Sequence, residues 1–286
     1  MSYSPKFNVF DRSGLAAISD LRTPEYQRFY SEFETRRTEF LRREEAIRGT
    51  GDAKPLDVRP VWSRIWEQPY TYFHLEKLRS AAPKDSALKV VDLGSGFTVF
   101  SFLVAQLGYH VDCLDIAPVC GRNIEWTAAA VDHQSGKVDF HLISDGVYPY
   151  EDGAVDAVYC VSVLEHIPDF HKTIKEVVRV LKPNGVFILT IDLDLCGFMG
   201  IGVAKYQNLR KCLFEHFALM EPEITVHPMD MLQPRNSPFP RWTFSAWARW
   251  KYQAKDLLRP LFGRKRRGSL PNLTVWGGVM TKVDKG

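Results

Sequence analysis

Cysteine is scarce and unpatterned in this 286-residue chain: Cys113, Cys120, Cys160, Cys196 and Cys212 make an odd count with no Cys-x-x-Cys pair. That argues against a disulfide framework and against a cysteine-built zinc site. It fits a reducing compartment, so a cytoplasmic protein is expected. No basic region followed by an apolar run opens the sequence, so no secretory leader is expected. Long uncharged apolar runs are missing as well. The nearest, Val186 to Ala204, carries Asp192 and Asp194 near its middle, each costing about 2.5 to 3.5 kcal/mol in a bilayer, and reads as a strand and a loop. Repeats and low-complexity tracts are absent. A net charge of +3 is too small to nominate nucleic acid as a partner.

What is present begins with Val90-Val91-Asp92-Leu93-Gly94-Ser95-Gly96-Phe97-Thr98-Val99, an apolar strand running into a glycine-hinged turn and a helix start. Glycines at 94 and 96 permit backbone conformations closed to other residues and close approach of a ligand to the main chain. A second strand, His110 to Leu114, ends at Asp115, 21 residues after Gly94. An acidic residue at about that distance holds a nucleoside ribose in doubly wound sheets. A dinucleotide fingerprint needs a third glycine where this chain has Val99. Asp92 also suits a cofactor carrying an ammonium and a sulfonium better than a pyrophosphate.

Further along lie Ser144-Asp145-Gly146, then Ala154-Val155-Asp156-Ala157-Val158-Tyr159-Cys160-Val161-Ser162-Val163-Leu164-Glu165-His166-Ile167, then Val180-Leu181-Lys182-Pro183-Asn184-Gly185-Val186-Phe187-Ile188-Leu189-Thr190. With Asp-Leu-Gly-Ser-Gly at 92 to 96 and Asp115, these resemble the ordered motifs of class I S-adenosylmethionine-dependent methyltransferases, small-molecule type, of the UbiE/methyltransferase-11 group. The resemblance spans Leu88 to about Asp192 and hardly touches the flanks. Thr98 departs from it, standing where many members carry a further glycine.

The alternation of strand and helix patterns predicts a doubly wound, Rossmann-like, mostly parallel α/β sheet with helices on both faces. Seven strands are expected, the last at Leu273 to Val283 and, by the resemblance, antiparallel. Strands are placed near Leu88 to Leu93, His110 to Leu114, Val138 to Ile143, Ala154 to Val161 and Val186 to Ile191. Phe170, Ile174, Val177, Val178 and Leu181 mark one face of a helix stopped by Pro183-Asn184-Gly185. Residues 1–60 read as an N-terminal helical extension, with a polar helix from Leu21 to Arg48 capped by Thr23 before Pro24, and a linker from Gly49 to Pro60. Residues 61–286 read as the methyltransferase domain, with a C-terminal helical insertion.

The resemblance implies S-adenosyl-L-methionine as cofactor. Asp92, Gly94, Ser95 and Gly96 would face its methionine and ribose part, Asp115 its ribose hydroxyls and Asp145 its adenine amine, with Gly146 allowing close approach and Ile116 and Val161 also among the cofactor-binding residues. A turn-capping role is the alternative for Asp115 and for Asp145. His166 is the candidate general base, because histidine titrates near operating pH and this one follows the fourth strand at the catalytic edge. Bracing the pocket is its alternative. Tyr70 and Tyr72, from an aromatic stretch with Trp66, are candidate acceptor contacts, with helix core as the other reading. Asp192 and Asp194 are acceptor candidates too; lacking a third ligand, the pair is assigned no metal.

From Arg235 to Arg267 ten Lys or Arg residues face a single acidic one, Asp256. On a helix from Phe244 to Arg259, Trp247, Trp250, Ala254, Leu257 and Leu258 share one side. Such a segment, about 235–268, suits peripheral contact with an anionic inner membrane surface through 241–267, or packs its apolar side on the domain. The expected function is methyl transfer to an oxygen or nitrogen of a small molecule, with a lipid-linked or cell-envelope glycan as acceptor. Natural-product O-methylation, an inactive scaffold at the membrane and aminopropyl transfer from a decarboxylated cofactor are the alternatives.

Overall fold

The computed structural model describes residues 9–48, 61–131, 136–195, 201–238, 250, 254–263 and 273–283. Ten strands form one sheet: β1 (Ser13–Leu15), β2 (Leu88–Leu93), β3 (Tyr109–Asp115), β4 (Lys137–Leu142), β5 (Val155–Val161), β6 (Leu181–Asp194), β7 (Ile201–Gly202), β8 (Phe217–Leu219), β9 (Glu223–Ile224) and β10 (Leu273–Lys282). The α-helices that accompany them among the described residues include α1 (Pro24–Arg48), α2 (Arg64–Ala81), α3 (Phe100–Ala105), α4 (Pro118–Ala130), α5 (Phe170–Val180) and α6 (Val203–Phe214).

The order β4-β3-β2-β5-β6-β10 runs through the sheet, with β8 beside one end of β10 and β1 beside the other. Strands β2 to β6 are parallel and β10 is antiparallel, the predicted layout. Beyond the seven expected strands are the short β1, β7 and β9. The winding reverses at β2, whose neighbours are β3 and β5. That leaves a crevice at its carboxyl end, where such sheets bind ligands.

Local chemistry explains the elements. Thr23 caps α1 by accepting the Tyr26 amide at 3.1 Å, one residue before Pro24, as predicted. Asp169 caps α5 by accepting from the Lys172 amide at 3.2 Å; Phe170, Ile174 and Val177 of the predicted face are buried with Val180, Val178 is partly buried, and Leu181, expected on that face, instead opens β6. Pro183-Asn184-Gly185, expected to stop the helix, lies within β6 at an irregularity in its pairing with β5, with Asn184 at φ +59°. The strand expected to end at Ile191 instead runs on to Asp194, because β10 pairs with it as far as Asp194 opposite Leu273.

The N-terminal segment shares the domain's core. Phe10, Tyr26, Phe33 and Phe40 are buried in one apolar cluster with Trp66, Tyr70, Tyr72, Phe100 and Phe102. Asp20 is the polar centre of this packing. Its Oδ2 accepts from Arg12, from the Ala17 amide at 3.0 Å and from Trp66 Nε1 at 2.9 Å. The linker from Gly49 to Pro60 lies outside the described residues, as do most of the expected helix from Phe244 and the basic run Arg264 to Arg267. Ala254 to Leu258 is helical and passes into a 3₁₀ turn over Arg259–Phe262, so Pro260 tightens the helix end rather than terminating it. No helix among the described residues is long and apolar enough to cross a membrane.

Asp20→Ala leaves the buried Arg12 guanidinium and two N–H donors without their acceptor. We expect a loss of about 3 to 5 kcal/mol in urea unfolding. A loss under 1 kcal/mol would remove Asp20 from the role of core tether.

Candidate active site

The glycine turn closes on itself through one carboxylate. Gly94 and Gly96 take φ of +73° and +57°. The Gly94 amide donates to Leu114 O at 2.8 Å, and the Gly96 amide donates to Asp115 Oδ2 at 2.9 Å. The other oxygen, Asp115 Oδ1, accepts from the Ala117 amide at 2.9 Å, where the chain turns into α4. Each carboxylate oxygen keeps a further lone pair, so holding the turn and binding a diol are compatible tasks. Ile116 beside it is 79% exposed, an apolar side chain left open at the strand end.

Below the turn, Asp92 is buried and accepts from Ser101 Oγ at 2.7 Å. Burial raises its carboxyl to about 6, the Asp115 charge adds to the rise, and the Ser101 hydroxyl opposes it. Ser95 is buried at the turn. Asp145 is exposed at the next strand end, where its Oδ1 accepts the Val147 amide at 3.0 Å and Gly146 takes φ +75°. Lys172 from α5 donates to Asp145 O at 2.6 Å. Val161 ends β5 on the same edge of the sheet, in register with Thr190.

A second half of the site gathers around the end of β5. Ser162 stands at φ +51°, unusual for a residue with a Cβ. Its amide donates to Thr190 O at 2.9 Å and its hydroxyl donates to Glu67 Oε1 on α2. Glu67 is fully buried, and its other oxygen accepts from Arg64 at 2.6 Å. Burial opposes the charge of Arg64, but Glu67, Asp192 and Glu165 outweigh it and hold its pKa above the ordinary value. Glu165 is buried, accepts the Asp192 amide at 2.9 Å, and is pushed up to about 7 by burial. His166 is exposed next to it, its pKa lowered by partial burial and by Arg64 and Lys205. Lys205 reaches from α6 and donates to Glu165 O at 3.4 Å.

This arrangement brings His166 and Asp192 together and leaves other candidates elsewhere. Tyr70 is fully buried, stacked on Trp66 at 4.5 Å, with its hydroxyl donating to Arg12 O at 3.0 Å. Tyr72 packs against Phe29 and Phe33 of α1. Both are core residues, not acceptor contacts, because α2 turns this aromatic face into the cluster it shares with α1. Asp194 is buried where β6 pairs with β7. Arg64, Glu67 and Lys205 had no signal in the sequence, since they approach from helices far away along the chain. Glu165 was visible only as the neighbour of His166.

Residues 91–189 match the family described as Methyltransferase domain. A ubiquinone biosynthesis O-methyltransferase of Xanthomonas oryzae pv. oryzae (strain PXO99A) is 30% identical over 151 residues, 51% of this chain and 57% of that one. The namesake of Xylella fastidiosa (strain 9a5c) is 32% identical over 119 residues, 40% of this chain and 46% of its own. The chain thus spans about half the length of these relatives. Among solved structures, Haemonchus contortus phosphoethanolamine N-methyltransferase 2 in complex with S-adenosyl-L-methionine aligns over 92% of this chain and 61% of that one, with 14% identity and a TM-score of 0.46.

A Cβ on Gly94 would stand 2.4 Å from Val163 Cγ1, at a φ that strains alanine. Gly94→Ala should therefore cost about 2 to 4 kcal/mol in denaturant unfolding. A cost near zero would mean that Val163 yields freely and that the turn is not packed against the loop after β5.

Proposed function

We propose that this chain, which carries a methyltransferase domain over residues 91–189, transfers a methyl group from S-adenosyl-L-methionine to an oxygen or nitrogen of a small acceptor. The observation that carries this reading is the set of carboxylates around the glycine turn. Asp92 beneath it and Asp115 across from it suit a ligand bearing an ammonium, a sulfonium and a ribose diol. Asp115 would accept from the ribose hydroxyls, with Ile116 and Val161 against the adenine and Asp145 and Gly146 at its amino edge. Asp92 and the main chain of Gly94, Ser95 and Gly96 would hold the methionine end.

Bound there, the cofactor supplies an electrophilic methyl. The residues around the end of β5 then place the acceptor in line with it, and such positioning is the main contribution a protein makes to a direct displacement. His166, whose protonated form is disfavoured by partial burial and by Arg64 and Lys205, accepts the proton from the acceptor hydroxyl or amine. Arg64, tied to Glu67, forms a cationic wall beside it.

The acceptor class we favour is a lipid-linked or cell-envelope glycan at an anionic membrane surface. Trp250, Leu257, Leu258 and Leu261 are 65%, 60%, 52% and 77% exposed, while Asp256 in the same segment is buried. This stretch thus buries its one acidic residue and leaves Leu257 and Leu258 exposed, unlike a helix docked by its hydrophobic face. Lys255 and Arg259 flank that side, followed in sequence by Arg264-Lys265-Arg266-Arg267. The combination suits an interface of anionic headgroups, each basic residue adding about 1 kcal/mol.

His166→Ala should lower kcat for methyl transfer by about 10²-fold or more while cofactor affinity in calorimetry stays within about twofold. Because its pKa is depressed, the base is already deprotonated at neutral pH. The acid limb of kcat at saturating cofactor should fall below pH 6.5, the ordinary histidine value, and vanish in the variant. Full cofactor binding with no transfer to any glycan or phenolic acceptor would favour the scaffold reading.

The folded protein should co-sediment with phosphatidylglycerol vesicles and not with phosphatidylcholine ones, and Leu257→Ser/Leu258→Ser should abolish this without lowering Tm. Failure of the unaltered protein to bind anionic vesicles would detach the acceptor class from the membrane.

A further inference from the structure

We propose that His110, Asp112, Asp139 and His141 form a binding site for one divalent transition-metal ion of the zinc class, clipping β4, the strand at one end of the sheet, to β3. The four residues alternate along two paired strands, His110 and Asp112 on β3, Asp139 and His141 on β4, so one sheet face carries them all. Asp112 stands directly opposite Asp139 in the register. Two carboxylates so placed repel unless a cation lies between them.

The ligand atoms already have the required spacing. His110 Nε2 is 3.1 Å from Asp112 Oδ1 and 2.7 Å from Asp139 Oδ2, and His141 Nε2 is 3.5 Å from Asp112 Oδ1. Ligand atoms about 2.0 to 2.1 Å from a tetrahedral ion stand about 3.3 Å from one another. The His110, Asp112 and Asp139 ligand atoms all lie within 4.8 Å of one another.

The hydrogen bonding is incomplete in the way a cation would complete. Asp112 is only 1% exposed, yet neither of its side-chain oxygens accepts a well-formed hydrogen bond. A single Nε2 proton on His110 serves Asp139 and cannot serve Asp112 as well. The buried Tyr150 hydroxyl lies against Asp112 and makes at most a loose hydrogen bond to it, so the carboxylate keeps capacity for a cation. Two imidazole nitrogens with two carboxylate oxygens suit zinc and its neighbours, whereas magnesium prefers oxygen alone.

Two lysines compete for the same carboxylates. Lys89 Nζ is 3.2 Å from Asp112 Oδ2, and Lys137 Nζ is 2.6 Å from Asp139 Oδ2. Metal entry exchanges these ammonium contacts for coordination. Lys137 is 65% exposed and free to swing away. The proposal does not depend on methyl transfer.

The test is calorimetric titration of chelator-treated full-length protein with Zn²⁺ and, separately, Mg²⁺, together with thermal unfolding. We expect one Zn²⁺ per chain, a Tm rise of about 4 °C or more at a hundredfold excess over Kd, and no response to Mg²⁺. His110→Ala and Asp139→Asn, at partly exposed positions that should leave folding intact, are each expected to weaken Zn²⁺ binding at least about tenfold. Lys137→Ala should strengthen it about threefold or more, because a competing charge is gone. Absence of Zn²⁺ binding overturns the proposal, as does binding that His110→Ala and Asp139→Asn leave unchanged. Weaker binding by Lys137→Ala overturns it too.

Discussion

The fully buried carboxylate of Glu67 is the constraint on which the catalytic edge depends. It lies on a helix that packs against the sheet, yet it is held by Arg64 from its own helix and by Ser162 from the end of β5. An unpaired charge in that position would cost several kcal/mol, so the helix, the arginine and the strand end are obliged to stay together. Through Ser162 the same contact stabilises a backbone conformation that residues with a Cβ rarely adopt. The loop that leaves the strand there carries Val163 against Gly94 and presents Glu165 and His166. One ion pair therefore couples the core to both halves of the crevice.

The cofactor side of this crevice was legible in the sequence because its signals are local. A strand, two glycines and an aspartate at the next strand end are encoded within about two dozen positions, and the fold joins them through the Gly96 amide and Asp115. The acceptor side is nonlocal. Arg64, Glu67 and Lys205 become neighbours only when α2 and α6 pack against the sheet, and no spacing in the chain announces that. Tyr70 and Tyr72 were ambiguous for a related reason, since an aromatic helix face looks the same whether it closes over a ligand or, as here, packs under a sheet. The polar residues of β3 and β4 did leave a trace, His-x-Asp and Asp-x-His in strands otherwise apolar. Without the register that sets Asp112 opposite Asp139, that trace had no meaning.

Electrostatics divide the catalytic edge into two regions. Around the glycine turn the fixed groups are carboxylates, one of them buried and shifted upward. Around His166 they include Arg64 and Lys205, whose positive charges disfavour an imidazolium. On the proposed reading, a cationic donor and a neutral base would be served by these opposite environments.

The pairing of β1 has a consequence for how the chain assembles. Ser13–Leu15 finds its partners in β10, the last described strand, and in β9. During synthesis this segment must therefore wait, unpaired, for the two hundred or so further residues that lead to β9, and longer still for β10. Contacts between such distant positions are the slow ones in folding, because the loop they close is long. Until β10 arrives, β6 also exposes an edge along Val186 to Asp194. The nascent protein thus passes through a stage with an open apolar strand, when a chaperone or a second nascent copy has its best opportunity to bind.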